Sequence, residues 1–174
     1  MNSSRTIKSK DRVRKHAEVF TPIHIVKKMI DCIDVEDDGT DPYEMGKTWL
    51  EPACGNGVFI GEIVQRKIRR YDNAHDTLDA LRDVYAVDIQ ADNIQQCQCQ
   101  AVGQVITHWF RNNIHFDDIH LNRLFEIMEK NYIVGDFLKP ETIQFYDWKN
   151  CEFVCMADMM PKEEKPKRKR KKPM

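Results

Sequence analysis

The segment that most constrains the fold of this chain is residues 50–59, which read Leu-Glu-Pro-Ala-Cys-Gly-Asn-Gly-Val-Phe. An apolar strand pattern enters this segment and a helical pattern leaves it, with Gly55 and Gly57 in the turn between them. Glycine allows positive φ and a close approach of the backbone to a ligand, and the N-terminus of the next helix presents free N–H groups there. The segment therefore predicts a strand–turn–helix unit that holds a small cofactor, although purely structural turns of this kind are also common.

The length and composition are those of one globular domain. The chain has 174 residues, of which 41% are hydrophobic, and this is enough to form a core. Its longest apolar runs are a few residues, far short of the stretch of about 20 that a membrane helix needs. No signal peptide opens the sequence, so we expect a cytoplasmic protein without a membrane partner.

Charge is segregated along the chain. The net charge is −1, but residues 161–174 carry +6 and residues 1–15 carry +5, which leaves −12 for residues 16–160. We therefore expect a flexible basic arm at residues 1–15, a folded domain at residues 16–160 and a disordered basic tail at residues 161–174. If the protein contacts nucleic acid, we expect the basic termini to bind its phosphates. A tail that is only solvated is the alternative.

Cysteine and histidine do not form a metal-binding pattern. The six cysteines stand at positions 32, 54, 97, 99, 151 and 155, and no Cys-x-x-Cys occurs. Free cysteine packs readily as a small hydrophobic residue, and the histidines supply no matching ligand set. We therefore expect reduced thiols and no metal site.

Strand and helix patterns alternate along the middle of the chain. Strands are predicted at residues 47–51, 83–88, 132–134 and 151–156, and helices after Thr21-Pro22 and at residues 58–70, 91–110 and 121–130. This alternation predicts an α/β fold with a parallel sheet and a cofactor outside the carboxyl ends of its strands. Asp88 ends the second strand, where such folds hydrogen-bond a ribose hydroxyl. A helix-capping role for Asp88 is the alternative.

Four short segments follow one another in a characteristic order: Phe20-Thr21-Pro22, the glycine turn, Val87-Asp88-Ile89-Gln90 and Gly135-Asp136-Phe137-Leu138. In order and spacing they resemble the motifs of the S-adenosylmethionine-dependent adenine-N6 DNA methyltransferases of restriction-modification systems. The resemblance covers roughly residues 16–156. It implies a Rossmann-like parallel sheet with strand order 3-2-1-4, S-adenosylmethionine as the cofactor and DNA as the substrate.

The resemblance also implies which residues contact the cofactor. Phe20 and Thr21 would lie against the methionine end of the cofactor. Asp136 would accept a hydrogen bond from the exocyclic amine of its adenine, and Phe137 would cover the adenine ring. A turn role is the alternative for Asp136. The complete set of cofactor-binding candidates is Phe20, Thr21, Glu51, Pro52, Ala53, Cys54, Gly55, Gly57, Asp88, Ile89, Asp136 and Phe137.

The sequence departs from the family at the catalytic motif, which is Asn or Asp followed by two prolines and an aromatic residue. An adenine amine is a poor nucleophile, so the motif supplies acceptors for its hydrogens and a ring that stacks on the flipped base. Here residues 156–161 read Met-Ala-Asp-Met-Met-Pro. Asp158 is the candidate acceptor, with methionines where the prolines are expected. We therefore expect cofactor binding with slow methyl transfer, or none, by the isolated chain.

The complete family fold has seven strands, so the resemblance implies that this chain holds the N-terminal part of a catalytic domain. An open sheet edge is prone to pairing, and we expect a second polypeptide or a second copy of the chain to cover it. A non-catalytic S-adenosylmethionine-binding subunit or decoy, or a remnant that needs a second polypeptide, is the alternative. A nicotinamide dinucleotide site fits less well, because position 60 is Ile and Gly61 comes one residue late for Gly-x-Gly-x-x-Gly.

Overall fold

A computed structural model describes residues 7–16, 18–34 and 40–159 of the protein. The helices are α1 (Lys10–His16), α2 (Ile23–Asp34), α3 (Val58–Ile68), α4 (Ala74–Leu81), α5 (Ala91–Arg111), α6 (Asp118–Asn131) and α7 (Met156–Met159). The strands are β1 (Trp49–Glu51), β2 (Val84–Asp88), β3 (Tyr132–Val134), β4 (Gln144–Asp147) and β5 (Glu152–Cys155). A 3₁₀ helix covers Pro140–Thr142. The predicted basic tail at residues 161–174 lies outside the described residues.

The first three strands form a parallel sheet in the order β1-β2-β3. Trp49 lies opposite Val84, and Ala86 lies opposite Tyr132. The central strand β2 is almost entirely buried, as expected of a parallel strand that is covered on both faces. The α/β class, the parallel pairing and the neighbours of the first three strands are therefore confirmed.

The fourth predicted strand forms as β5, but it does not join the parallel sheet. β5 does not extend the parallel sheet but pairs antiparallel with β4, with Phe145 opposite Val154. The tight turn between the two strands explains this pairing, because Asp147 Oδ1 accepts the N–H groups of Lys149 and Asn150 at 2.8 and 3.2 Å. Such a local turn directs the chain back onto the strand that precedes it. The predicted order 3-2-1-4 is thus wrong in its last position.

The helices cover the sheet and form the main core. α3 and α5 are in close contact, and α5 presents one continuous apolar stripe to the core. The buried residues of this stripe are Ile94, Cys97, Ala101, Val105 and Trp109. They recur every three or four positions, as the apolar face of a helix does. None of the helices within the described ranges is long and apolar enough to cross a membrane.

Residues 10–16 form α1 where the sequence predicts an irregular arm. The segment is held by long-range contacts with the start of α5. Lys8 Nζ lies 2.7 Å from Asp92 Oδ2 and 2.7 Å from Asn93 Oδ1, and Arg12 donates to the same Asp92 oxygen at 2.6 Å. These contacts bring the N-terminal segment to the carboxyl end of the sheet.

Lys67 of α3 is a fully buried cation. Its Nζ donates to the backbone oxygens of Glu44 and Lys47 at 2.8 and 3.0 Å and lies 3.3 Å from Asp83 Oδ2. Burial lowers the pKa of Lys67, and the charge of Asp83 opposes this shift. Lys67 therefore fixes the loop that leads into β1 against the body of the domain.

We predict that Lys67→Met lowers the free energy of unfolding by about 2–4 kcal/mol, because two backbone carbonyls and one carboxylate lose a buried donor. The matched control is Lys28→Met, which removes the same charge from an exposed position of α2 and is expected to change stability by less than about 0.5 kcal/mol. Urea denaturation measures both. Equal effects of the two substitutions would contradict this role of Lys67.

Candidate functional site

A cavity of about 490 Å³ opens at the carboxyl ends of the three parallel strands. Its walls come from the segments that directly follow β1, β2 and β3 and from the segment before α2. The lining residues are Glu18, Val19, Phe20, Pro52, Ala53, Gly55, Asp88, Ile89, Gln90, Asn93, Gly135, Asp136, Phe137 and Leu138. Its volume and its position at the carboxyl ends of the strands are those of a small-molecule site in an α/β protein.

The glycine turn forms the floor of this cavity beside β1. Gly55 has φ of 52°, and its N–H donates to Asp88 Oδ2 at 2.9 Å. A Cβ at this position would lie 3.2 Å from the ring of Phe20. The absence of a side chain thus lets the Phe20 ring pack directly on the turn.

Gly57 has a different role from the one predicted. It does not line the cavity, and a Cβ there would lie 2.5 Å from the Cα of Cys97 in α5. Its φ of 83° is also in the left-handed region, which favours glycine. Gly57 therefore allows α3 and α5 to pack closely, and its link to the cavity is indirect.

Asp88 is buried at the end of β2 and connects three parts of the chain. Besides Gly55, its carboxylate accepts the N–H of Gln90 at 2.8 Å and the side-chain amide of Asn93 at 3.1 Å. Asp88 therefore holds the backbone of Gln90, the residue before α5, and in the described part of the chain it accepts no backbone N–H group of the helix itself. A carboxylate has about four acceptor positions, so one position remains for a ligand that enters the cavity.

The segment after β3 supplies the opposite wall. Asp136 Oδ1 accepts the N–H of Leu138 at 3.0 Å, and Lys139 Nζ lies 3.5 Å from Asp136 Oδ2. Phe137 packs partly against a second, smaller core cluster, while Ile89 across the cavity is 55% exposed. Asp136 therefore has the turn role of its alternative and also lines the cavity.

Three further candidates line a smaller cavity of about 100 Å³ that adjoins the first: Thr21, Glu51 and Cys54. Glu51 is half-buried, and burial raises the pKa of its carboxyl group, against a hydrogen bond from the backbone of Ala53 that lowers it. A hydrogen bond to Cys54 and burial together raise the pKa of Cys97. Cys97 therefore stays protonated, and both side chains are buried beneath the turn.

The structure does not bring Asp158 to either cavity. This residue lies in the short helix α7, and its side chain is exposed to solvent. Its neighbour Met156 is buried in the second core cluster with Val87 and Phe145, which anchors α7 behind the segment that follows β3. The predicted catalytic residue is thus separated from the cofactor-binding candidates among the described residues.

The rim of the cavity contains charged residues that sequence reasoning missed. Arg12 Nε donates to Glu18 Oε2 at 2.9 Å, and Asn93 Nδ2 donates to the same oxygen at 3.1 Å. Hydrogen bonds from Arg12 and Lys8 lower the pKa of Asp92 to about 2. A role for Asn93 in the site could have been predicted from the sequence, because this residue lies in the first turn of α5, shortly after Asp88. The contacts of Arg12 and Lys8 join residues that are far apart in the sequence, so no local sequence pattern predicts them.

The chain matches no protein-family model, no curated protein and no solved structure. Within the described residues, no group of three or more His, Cys, Asp or Glu side chains is arranged to hold a metal ion. The case for a function therefore rests on the residues that surround the cavity.

We predict that Gly57→Ala lowers the free energy of unfolding by about 2–5 kcal/mol, because it combines backbone strain with overpacking against α5. The control is Gly103→Ala in α5, where a Cβ would meet nothing within 4 Å. That change should stabilise the helix by about 0.5–1 kcal/mol. Thermal unfolding distinguishes the two, and a tolerated Gly57→Ala would show that the close packing of α3 and α5 is not required.

Proposed function

We propose that this protein is an S-adenosylmethionine-binding protein with a Rossmann-like domain, of the adenine-N6 DNA methyltransferase type, that acts in the cytoplasm. One observation carries the proposal. The cavity gathers Phe20, the glycine turn, Asp88 and Phe137, which are far apart in the sequence, at the carboxyl ends of three parallel strands. These are the segments on which the resemblance to this family rests.

The residues of the larger cavity fit an adenine nucleoside. Ile89 and Phe137 provide apolar surface for a flat ring, and Asp136 of the same cavity provides an acceptor for an amine. Asp88 retains an acceptor position for a ribose hydroxyl. Because Gly55 has no side chain, its backbone faces the cavity and a ligand can approach the turn closely.

The smaller cavity fits the amino-acid end of the same ligand. Phe20 and Thr21 line it together with Glu51. Glu51 is half-buried and has no ion-pair partner among the described residues. A burial-raised pKa marks a carboxylate that would gain from a nearby cation, and the ammonium group of a methionine moiety would supply that charge.

S-adenosylmethionine, when bound, supplies an activated methyl group. The role of the chain is to orient the cofactor and, in a complete methyltransferase, to accept the hydrogens of the target amine. Asp158 is the proposed acceptor, yet it is exposed and lies outside the cavity. This separation favours a second candidate function, a subunit that binds S-adenosylmethionine without catalysing transfer by itself.

The proposal includes DNA as the partner, through the basic residues at the two ends of the chain. It also includes a second polypeptide or a second copy that covers a sheet edge, since β1 and β3 are the two edges of the parallel sheet. A nicotinamide dinucleotide remains the competing ligand, because it too binds at the carboxyl ends of parallel strands.

We predict that the protein binds S-adenosylhomocysteine and that Asp136→Asn weakens this binding by about 1 kcal/mol, the difference between a hydrogen bond to a charged acceptor and one to a neutral acceptor. Asp158→Asn is the matched control, with the same loss of charge at an exposed residue outside the cavity. It should leave affinity unchanged. Isothermal titration calorimetry measures all three proteins, with NAD⁺ as the competing ligand.

The same variants separate binding from catalysis. Mass spectrometry of DNA incubated with the protein and S-adenosylmethionine would detect N6-methyladenine, which we expect at a very low rate or not at all. If the wild-type protein methylates adenine over many turnovers and Asp158→Asn abolishes this activity, the protein is a methyltransferase and not a non-catalytic subunit. Failure of the wild-type protein to bind S-adenosylhomocysteine, or tighter binding of NAD⁺, would overturn the proposed function.

A further inference from the structure

Glu18 is a buried carboxylate in the wall of the larger cavity. Its side chain is only 8% exposed, and Oε2 accepts hydrogen bonds from Arg12 Nε at 2.9 Å and from Asn93 Nδ2 at 3.1 Å. The other oxygen, Oε1, is buried and has no hydrogen-bond partner within the described ranges. A buried carboxylate oxygen without a donor is costly, so a donor from a bound ligand is the natural complement.

The amide of Asn93 places Glu18 beside Asp88. One nitrogen, Asn93 Nδ2, lies 3.1 Å from Glu18 Oε2 and 3.1 Å from Asp88 Oδ1. Both carboxylates line the same cavity. The two carboxylates therefore share one donor, while Glu18 Oε1 and one acceptor position of Asp88 have no partner within the described residues.

The charge of Glu18 is already balanced. Arg12 forms an ion pair with it, and Arg12 and Lys8 both pair with Asp92 at the rim. A second cation on Oε1 is thus not needed, and a neutral donor such as a hydroxyl satisfies the oxygen. Two adjacent carboxylate acceptors suit two adjacent hydroxyls, which is the arrangement of a ribose diol.

We propose that Glu18 is a ligand-binding residue whose Oε1 accepts a hydrogen bond from one ribose hydroxyl of an adenine nucleoside, while Asp88 accepts the other. This inference rests on the nucleoside ligand of the proposed function. It adds a role for the N-terminal segment, since Arg12 of α1 holds Glu18 in position. Arg12 is then a positioning residue for the site, and Glu18 determines that the ligand carries an intact ribose.

The test is the binding of S-adenosylhomocysteine and adenosine to the full chain, its Glu18→Gln variant and its Asp92→Asn variant. Asp92 is the matched control because it binds the same Arg12 and Lys8 but does not line the cavity. Glu18→Gln should weaken binding of both ligands about tenfold, because its single oxygen stays with the donors Arg12 and Asn93 and an NH₂ group, which cannot accept, replaces Oε1. Asp92→Asn should change affinity less than about twofold, as for a surface ion pair.

Deoxynucleosides identify the contact itself. We compare adenosine with 2′-deoxyadenosine and 3′-deoxyadenosine on wild type and on Glu18→Gln. One of the two deoxynucleosides lacks the hydroxyl that Glu18 binds. For this analogue, Glu18→Gln should cause no further loss of affinity, because the missing hydroxyl and the substitution remove the same hydrogen bond. Thermal unfolding of Glu18→Gln accompanies the titrations, so that a loss of folded protein is recognised.

The outcomes are distinct. Equal affinity of Glu18→Gln and wild type, or an equal loss for adenosine and both deoxynucleosides, would overturn the role of Glu18 while leaving the proposed function intact. Adenosine binding with the expected pattern but no binding of S-adenosylhomocysteine would support Glu18 and overturn the proposed function. If neither ligand binds the wild-type protein, both are overturned.

Discussion

The carboxylate of Asp88 is the interaction on which the candidate site depends. It accepts the backbone N–H groups of Gly55 and Gln90 and the side-chain amide of Asn93. These donors belong to the turn after β1 and to the start of α5, so one buried side chain joins two neighbouring strand ends. Hydrogen bonds to a charged, buried acceptor are among the stronger ones in proteins. The shape of the cavity floor follows from this one group.

The rest of the site extends from Asp88 in two directions. Asn93 extends the hydrogen-bond network of Asp88 to Glu18, and Glu18 connects it to α1 through Arg12. On the other side, Gly57 lets α5 pack against α3 beneath the turn. The floor is therefore fixed by buried contacts, whereas the rim depends in part on ion pairs of the half-exposed Asp92. Such exposed pairs contribute only about 0–1 kcal/mol each, so the rim is the part that a ligand can rearrange most readily.

Local patterns in the sequence predicted the parts of this structure that local forces decide. The glycine turn, the apolar stripe of α5 and the acid at the end of β2 were all recognisable from residue type and spacing. The hairpin of β4 and β5 was missed because the sequence Gln-Phe-Tyr-Asp of β4 carries little apolar signal, and the turn at Asp147 decides the pairing. The contacts of Lys8 and Arg12 with α5 join residues about 80 positions apart, and no periodicity reveals them.

Hydrogen exchange at the Gly55 amide tests most directly whether Asp88 organises the site. In Asp88→Ala, we expect the amides of Gly55 and Gln90 to exchange at least about tenfold faster than in wild type, because both lose their acceptor. The amide of Cys54 donates to the backbone of Val87 instead and should stay protected. Asp147→Ala in the distant hairpin turn should leave the Gly55 amide unchanged. Unaltered exchange of Gly55 in Asp88→Ala would contradict the account.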